Sequence, residues 1–165
     1  MEFLLLEKKF KFVDDVLYSF CKKGKYSKTE KKWYLVKLSF NKSGYKVFSF
    51  KVKGKTKLFR FRRVVYYANN PQWDIYDSSM NNFIDHIDGI KTNNHISNLR
   101  NVTNQENQWN RTKAKGYCFD KVSGKYKAQI RLNRKQINIG CYDTPEEAHQ
   151  AYLNKKAEIH IIIQR

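Results

Sequence analysis

The sequence predicts an α+β protein of modular build, and three stretches of its 165 residues carry that prediction. Aromatic and β-branched residues interleave with lysines over residues 33–61, a strand-loop-strand-helix pattern spans 84–107, and three strand-like runs precede a capped helix over 116–159. We read these as an antiparallel N-terminal sheet in a basic β-rich region (1–72), a ribbon and helix in a central unit (73–113), and a three-stranded antiparallel sheet packed on one helix (114–165).

The 33 Lys and Arg against 15 Asp and Glu leave a formal charge of +18. A field of that sign calls for a polyanion, with nucleic acid ahead of a membrane surface. No apolar run approaches the ~20 residues of a spanning helix, and "FLLL" is too short for a signal-peptide core. The expectation is a soluble, intracellular protein with no membrane partner. Cys21, Cys118 and Cys141 are isolated and form no C-x-x-C pair. That argues against a disulfide framework and a structural zinc, and predicts buried, reduced thiols.

Near the start, "VDDVLYSF" reads as a short helix with Asp14 and Asp15 in its first turn, where acids suit the dipole. From Trp33 onward "WYLVKLSF", "GYKVFSFK" and "KTKLFRF" read as one antiparallel sheet, with a hairpin turn around Gly54. Between Glu30 and Asp74 there is no acid but there are twelve Lys or Arg, so one face of this sheet or its loops is suited to phosphate. "RRVVYYANNP" reads as a short helix stopped before Pro71.

The central pattern is the most informative. Residues 84–87 read as a strand, Asp88-Gly89 as a turn, "LRNV" as a second strand, and "TNQE" as a capping box from Thr103 to Glu106 that opens a helix. A ribbon and helix of this kind lets Asp85 face Asn107, so that a carboxylate and an amide oxygen share one point. Two hard oxygen ligands suit Mg²⁺, or a similar ion such as Mn²⁺, which keeps waters and phosphate oxygens in its other positions. His86 points to the opposite side of the strand from Asp85, or into the same cleft through a twist or bulge. With an ordinary pKa of ~6.5, its imidazole is a fit base for water. Asn98 is the candidate to hold its N–H. Periodicity alone leaves open whether this is a site or a solvated turn-rich loop.

"DHIDGIKTNNHISNLRNVTNQEN" resembles the HNH, or ββα-metal, nuclease motif of phage and intron-encoded homing endonucleases, through Asp85-His86, Asn98-Leu99-Arg100 and Asn107. The resemblance implies that His86 activates water, that Asp85 and Asn107 bind one divalent metal at the scissile phosphate, that Asn98 orients His86, and that the ends carry 3′ hydroxyl and 5′ phosphate. Asn107 stands where the family name has its last His, a replacement found in the homing branch. "FRRVVYYANNP" is similar to a segment that often precedes the motif, with Arg62 where a His is common. Arg60, Arg62, Arg63 and Arg111, which flank the motif, and Arg100 within it are expected at the DNA. His95, His149 and His160 fall outside it and are expected as surface or capping residues.

The C-terminal runs "GYCFD", "KYKAQIRL" and "QINIGCY" place Tyr126, Ala128, Ile130 and Leu132 on one face of the middle strand and Lys127, Gln129 and Arg131 on the other. "TPEEAHQAYLNKKAEI" starts a helix with Thr144 as N-cap, Pro145 at the first position and Glu147 closing a capping box. Ala148, Ala151, Tyr152 and Ile159 would line the side toward the sheet. Through "GKYKAQIRL", "INIGCYDTPEEAHQAYLNKKAE" and this element order, the unit resembles the apetala/ethylene-response-factor DNA-binding domain, whose sheet enters the major groove. That implies base or phosphate contacts by Gln129, Arg131, Gln136 and Asn138, with Lys115 and Lys127 nearby. Gln136 and Asn138 stand where plant members often carry Arg and Trp.

The combined expectation is a metal-dependent endonuclease of the homing type acting as a monomer on double-stranded DNA. A DNA-binding regulator with a decayed site, or a dimeric restriction-like nuclease, are the alternatives.

Overall fold

The computed structural model describes residues 1–22, 30–111 and 113–162. Its described residues form twelve strands, three α-helices and one short 3-10 helix, arranged in four sheets whose described pairings are antiparallel. The α+β architecture is therefore as the sequence predicts. By contacts the chain divides into two compact units, Met1–Asn101 and Val102–Arg165.

The first unit opens with a four-stranded sheet, β1 (Glu2–Leu5), β2 (Lys8–Val13), β3 (Val16–Cys21) and β4 (Lys32–Leu35), in that order. The helix expected from "VDDVLYSF" is absent and the segment is a β-hairpin. Asp14 and Asp15 both take positive φ, +48° and +60°, as a tight two-residue turn demands and as Asp tolerates. The residues on either side alternate with period two, so the acids mark a turn rather than a helix start. Leu5, Phe10 and Leu17 point from this sheet into the core.

The single sheet expected over 33–61 is in fact divided. β4 pairs with β3, setting Trp33 opposite Phe20 and Leu35 opposite Tyr18. β5 (Ser39–Phe40), β6 (Lys46–Val52) and β7 (Lys55–Arg60) form a separate sheet, whose β6–β7 turn at Lys53-Gly54 lies where the sequence puts it. Cross-strand apolar pairing decided the allocation of β4, and one strand's own sequence does not reveal its partner.

Helix α1 (Phe61–Asn69) buries Phe61, Val64, Val65 and Ala68 and ends before Pro71, where Asn70 returns hydrogen bonds to the Tyr66 carbonyl. Next come β8 (Phe83–His86), a 3-10 turn over Ile96–Asn98, and β9 (Leu99–Val102), which pairs with β8. Phe10, Phe48, Phe61, Val64, Ile84 and Leu99 belong to one core, so β8 is fixed at its centre by Ile84, next to Asp85.

The second unit contains α2 (Asn104–Trp109), β10 (Tyr117–Asp120), β11 (Lys125–Leu132), β12 (Lys135–Tyr142) and α3 (Pro145–Ile159). Both expected capping boxes are formed, Thr103 with Glu106 and Thr144 with Glu147. The β11–β12 turn uses Asn133 and Arg134 at φ +50° and +66°. Ala128 and Ile130 of the sheet and Ala148 and Tyr152 of α3 are buried, while Ala151 and Ile159 are half-buried. A bulge between Ala128 and Gln129 shifts the β11–β12 register.

The cysteines overturn the expectation of buried thiols: Cys118 and Cys141 are exposed and Cys21 is half-buried, all three unbridged. Cys118 and Cys141 sit opposite Lys127 on the sheet face that α3 does not cover, so strand parity overrides the usual burial of Cys. Among the described residues no helix is long and apolar enough to cross a membrane. Residues 23–29, 112 and 163–165 lie outside the described residues.

Candidate functional site

β8 ends on Asp85 and His86, both buried, at 7% and 3% exposure. The chain then turns at Gly89, φ +72°, whose N–H donates to the His86 carbonyl. The loop that follows is closed by its own polar groups. The Asp88 carboxylate accepts from the Ile90 N–H, Asn93 Nδ2 and Asn98 Nδ2, while Asn98 Oδ1 accepts from the Asp88 N–H. The Asn98 carbonyl accepts from the Ile87 N–H at 2.9 Å, which ties down the residue after His86. The crowd of asparagines is thus the material of a rigid loop.

The amide at His86 Nε2 belongs to Asn94, with Oδ1 at 3.1 Å, and not to Asn98, whose side chain is occupied by Asp88 and the Asn93 carbonyl. Asn94 Nδ2 donates to the Thr92 carbonyl, which turns its Oδ1 toward the ring. The Nε2 proton then faces Asn94, and neutral imidazole carries its lone pair on Nδ1. Asn98 positions the loop, and Asn94 positions the ring.

Tyr45 lies parallel to the imidazole, with centroids 6.1 Å apart and planes 14° from parallel. The buried Arg62 guanidinium stands 4.2 Å from the Tyr45 ring centre, and Lys91 Nζ stands 5.1 Å from it. Burial pushes the His86 pKa below its ordinary value, and the positive field of Arg62 adds to this, against the Asn94 hydrogen bond and the charges of Asp85 and Asp88. His86 is therefore neutral near pH 7.

Asp85 Oδ2 accepts from Arg100 through Nε at 3.2 Å and Nη2 at 3.0 Å, whereas Oδ1 has no described hydrogen bond. One carboxylate oxygen is held and oriented while the other keeps its lone pairs. A hard divalent cation fits such an oxygen. Among the described residues no three His, Cys, Asp or Glu cluster as a metal site. Asn107 lies half-buried on α2, in the other unit.

The arginines expected at DNA divide by environment. Arg60 and Arg111 are exposed, Arg62 is buried against Tyr45, and Arg100 holds Asp85. Arg63 faces the protein itself: Nη1 donates to the Asn82 carbonyl at 2.9 Å, Nη2 donates to those of Ile75 at 2.7 Å and Asp77 at 3.0 Å, and the guanidinium lies 4.6 Å from the Trp73 ring centre. The irregular segment before β8 has carbonyls that need donors, and Arg63 supplies them. Arg63→Ala is expected to lower stability by about 3 kcal/mol through loss of these charge-assisted bonds, measured by urea denaturation.

In the second unit Lys127, Gln129, Arg131, Gln136 and Asn138 occupy strand positions on the open face. Gln136 Nε2 donates to Gln129 Oε1, and Gln129 Nε2 lies 3.8 Å from Cys118 Sγ. Lys127 is paired with Asp120 at 2.7 Å, and Lys127, Ser123 and the Val122 N–H together hold the Asp120 carboxyl down to about 2. Lys115 is exposed, and its carbonyl meets His149 Nδ1 at 2.7 Å. Of the histidines outside the motif, His95 caps the 3-10 turn and His160 caps α3 and stacks on Trp109 at 4.5 Å, whereas His149 departs from the expected surface or capping place and lies half-buried within α3 between Tyr117 and Tyr152.

Sequence reasoning missed Asn94, Tyr45 and the Arg100–Asp85 pair as parts of this site. Asn94 was visible as one of several loop asparagines. Tyr45 has no local signal, because only the fold brings it to His86.

Residues 61–109 match the family described as HNH endonuclease. The chain is 37% identical over 123 residues to an uncharacterized HNH endonuclease of Acanthamoeba polyphaga mimivirus, covering 73% of this chain. It spans 58% of that relative's length. No solved structure matches. The family match stops at residue 109, and no comparison supports the apetala/ethylene-response-factor resemblance of the residues that follow.

Proposed function

We propose that this chain is a site-selective, metal-dependent endonuclease of the HNH homing type that cuts double-stranded DNA. The observation that carries the reading is the Asp85-His86 step at the end of β8, inside the segment that matches the HNH family, with the imidazole held by Asn94 and one carboxylate oxygen left open.

In this reading His86 takes a proton from water at Nδ1, and the resulting hydroxide attacks phosphorus with loss of the 3′ oxygen. Asn94 holds the ring on the Nε2 side, Tyr45 covers its face, and Asn98 fixes the loop that follows. Asp85 and Asn107 are the proposed ligands of a Mg²⁺ or Mn²⁺ ion. Such an ion, when bound, stabilises charge on the phosphoryl oxygens and the leaving group. The ends would be a 3′ hydroxyl and a 5′ phosphate.

The proposed division of labour follows the three sequence segments. The basic region 1–72 holds the backbone, the unit 73–113 cuts, and the sheet of 114–165 selects the site through Gln129, Arg131, Gln136 and Asn138. Lys127 contributes only if phosphate displaces Asp120. The Arg100–Asp85 pair is the observation that favours a non-catalytic DNA-binding protein, since it ties up one carboxylate oxygen. Incubation with supercoiled plasmid separates the two readings. Nicking in Mg²⁺ that stops with chelator supports the enzyme, whereas DNA binding without nicking under any divalent ion supports the other.

The net charge of +18 sets a second expectation. With ~6–10 phosphates contacted, affinity should fall ~10³- to 10⁵-fold between 50 and 200 mM salt. A flat salt response measured by anisotropy contradicts backbone-dominated binding.

A further inference from the structure

The four-stranded sheet β1–β4 buries only one of its faces. Leu5, Phe10 and Leu17 supply the core side, and the alternate residues lie on the other side. Cross-strand pairing of Lys11 with Tyr18, and of Phe20 with Trp33, sets three rings side by side there. Lys11 Nζ lies 4.6 Å from the Trp33 ring centre and 5.8 Å from that of Tyr18, and the Phe20 and Trp33 centroids are 5.1 Å apart. All three rings are partly solvent-exposed. The outward face of an antiparallel sheet ordinarily carries polar side chains, so a ring cluster there needs an explanation.

Charge narrows the explanation. Glu2, the acid that these strands place on this face, is paired with Lys9 at 2.6 Å and stands opposite Lys11 in the register, so two ammonium groups beside the rings share one carboxylate. Lys22 and Lys31, both exposed, stand at the adjoining ends of β3 and β4, two residues from Phe20 and Trp33 and so of the same strand parity. Rings interleaved with cations suit flat aromatic groups joined by phosphates, since stacking takes the base and lysine takes the backbone. In a duplex the faces of the bases are already covered by their neighbours.

We propose that this face binds single-stranded nucleic acid, with unpaired bases stacking on Trp33, Tyr18 and Phe20 and phosphates on Lys11, Lys22 and Lys31. The site is separate from the cleavage residues and does not depend on their activity.

The test uses the full chain in chelator, with labelled oligothymidylate and a duplex of equal length followed by anisotropy, and tryptophan emission recorded in parallel. Oligothymidylate is expected to quench Trp33. Trp33→Phe, which keeps a ring and the fold, should lose most of that quenching while retaining most of the affinity. The double variant Trp33→Ala/Tyr18→Ala should bind oligothymidylate roughly tenfold or more weakly, with duplex affinity changed less than about twofold. Equal losses for single strand and duplex would make the face a general polyanion surface and overturn the proposal. So would undiminished quenching in Trp33→Phe, whatever the stability of the alanine variant.

Discussion

His86→Ala is expected to lower the rate of plasmid nicking in Mg²⁺ by roughly 10²- to 10⁴-fold, the range over which a general base contributes. Binding to the same DNA should persist, because the imidazole is 3% exposed and supplies none of the long-range positive field. The pH profile gives a second readout. A base whose pKa is depressed is active above that pKa and inactive below it, so nicking should be flat above pH ~6.5 and fall only at more acid pH. Loss of Asn94→Ala activity with binding retained would place that residue in the same role at one remove, acting through the ring. Nicking by His86→Ala at the wild-type rate would remove the imidazole from the chemistry.

The largest effect on folding is expected at Gly116, far from that chemistry in the sequence. Gly116 has φ +74°, and a Cβ built there would fall inside the Tyr152 ring of α3. The close approach of the chain before β10 to that ring is possible only without a side chain. Gly116→Ala therefore combines backbone strain with a steric clash in the small core of Ala128, Ile130, Ala148 and Tyr152. A loss of about 3 kcal/mol or more is expected in chemical denaturation of the variant. A variant with wild-type stability would contradict the packing of α3 on the sheet.

Features with local signals were legible in the sequence. Both capping boxes, α1 ending before Pro71, the turn at Gly54 and the three C-terminal strands follow from a few adjacent residues each, and the structure has them. Asp14-Asp15 was misleading because acids favour both a helix start and a positive-φ turn, and only the alternation on either side separates the two. Within the site, Asp85 and His86 were legible as a pair, but their surroundings were not. Arg63 reads as a surface cation until carbonyls 12–19 residues away are folded around it, and Tyr45 reads as an ordinary strand aromatic. Asn94 and Asn98 are chemically identical in the sequence. The Asp88 carboxylate decides which of them is left for the imidazole.

The proposed attack by external water makes a statement about product ends that no binding protein and no contaminating nuclease of different chemistry would reproduce. Plasmid nicked in Mg²⁺ by the wild-type chain should be resealed by DNA ligase without kinase or phosphatase treatment, because each nick carries a 3′ hydroxyl beside a 5′ phosphate. Nicks that ligase leaves open, with phosphate on the 3′ side, would mean that the other oxygen leaves and would contradict the roles given to His86 and Asp85.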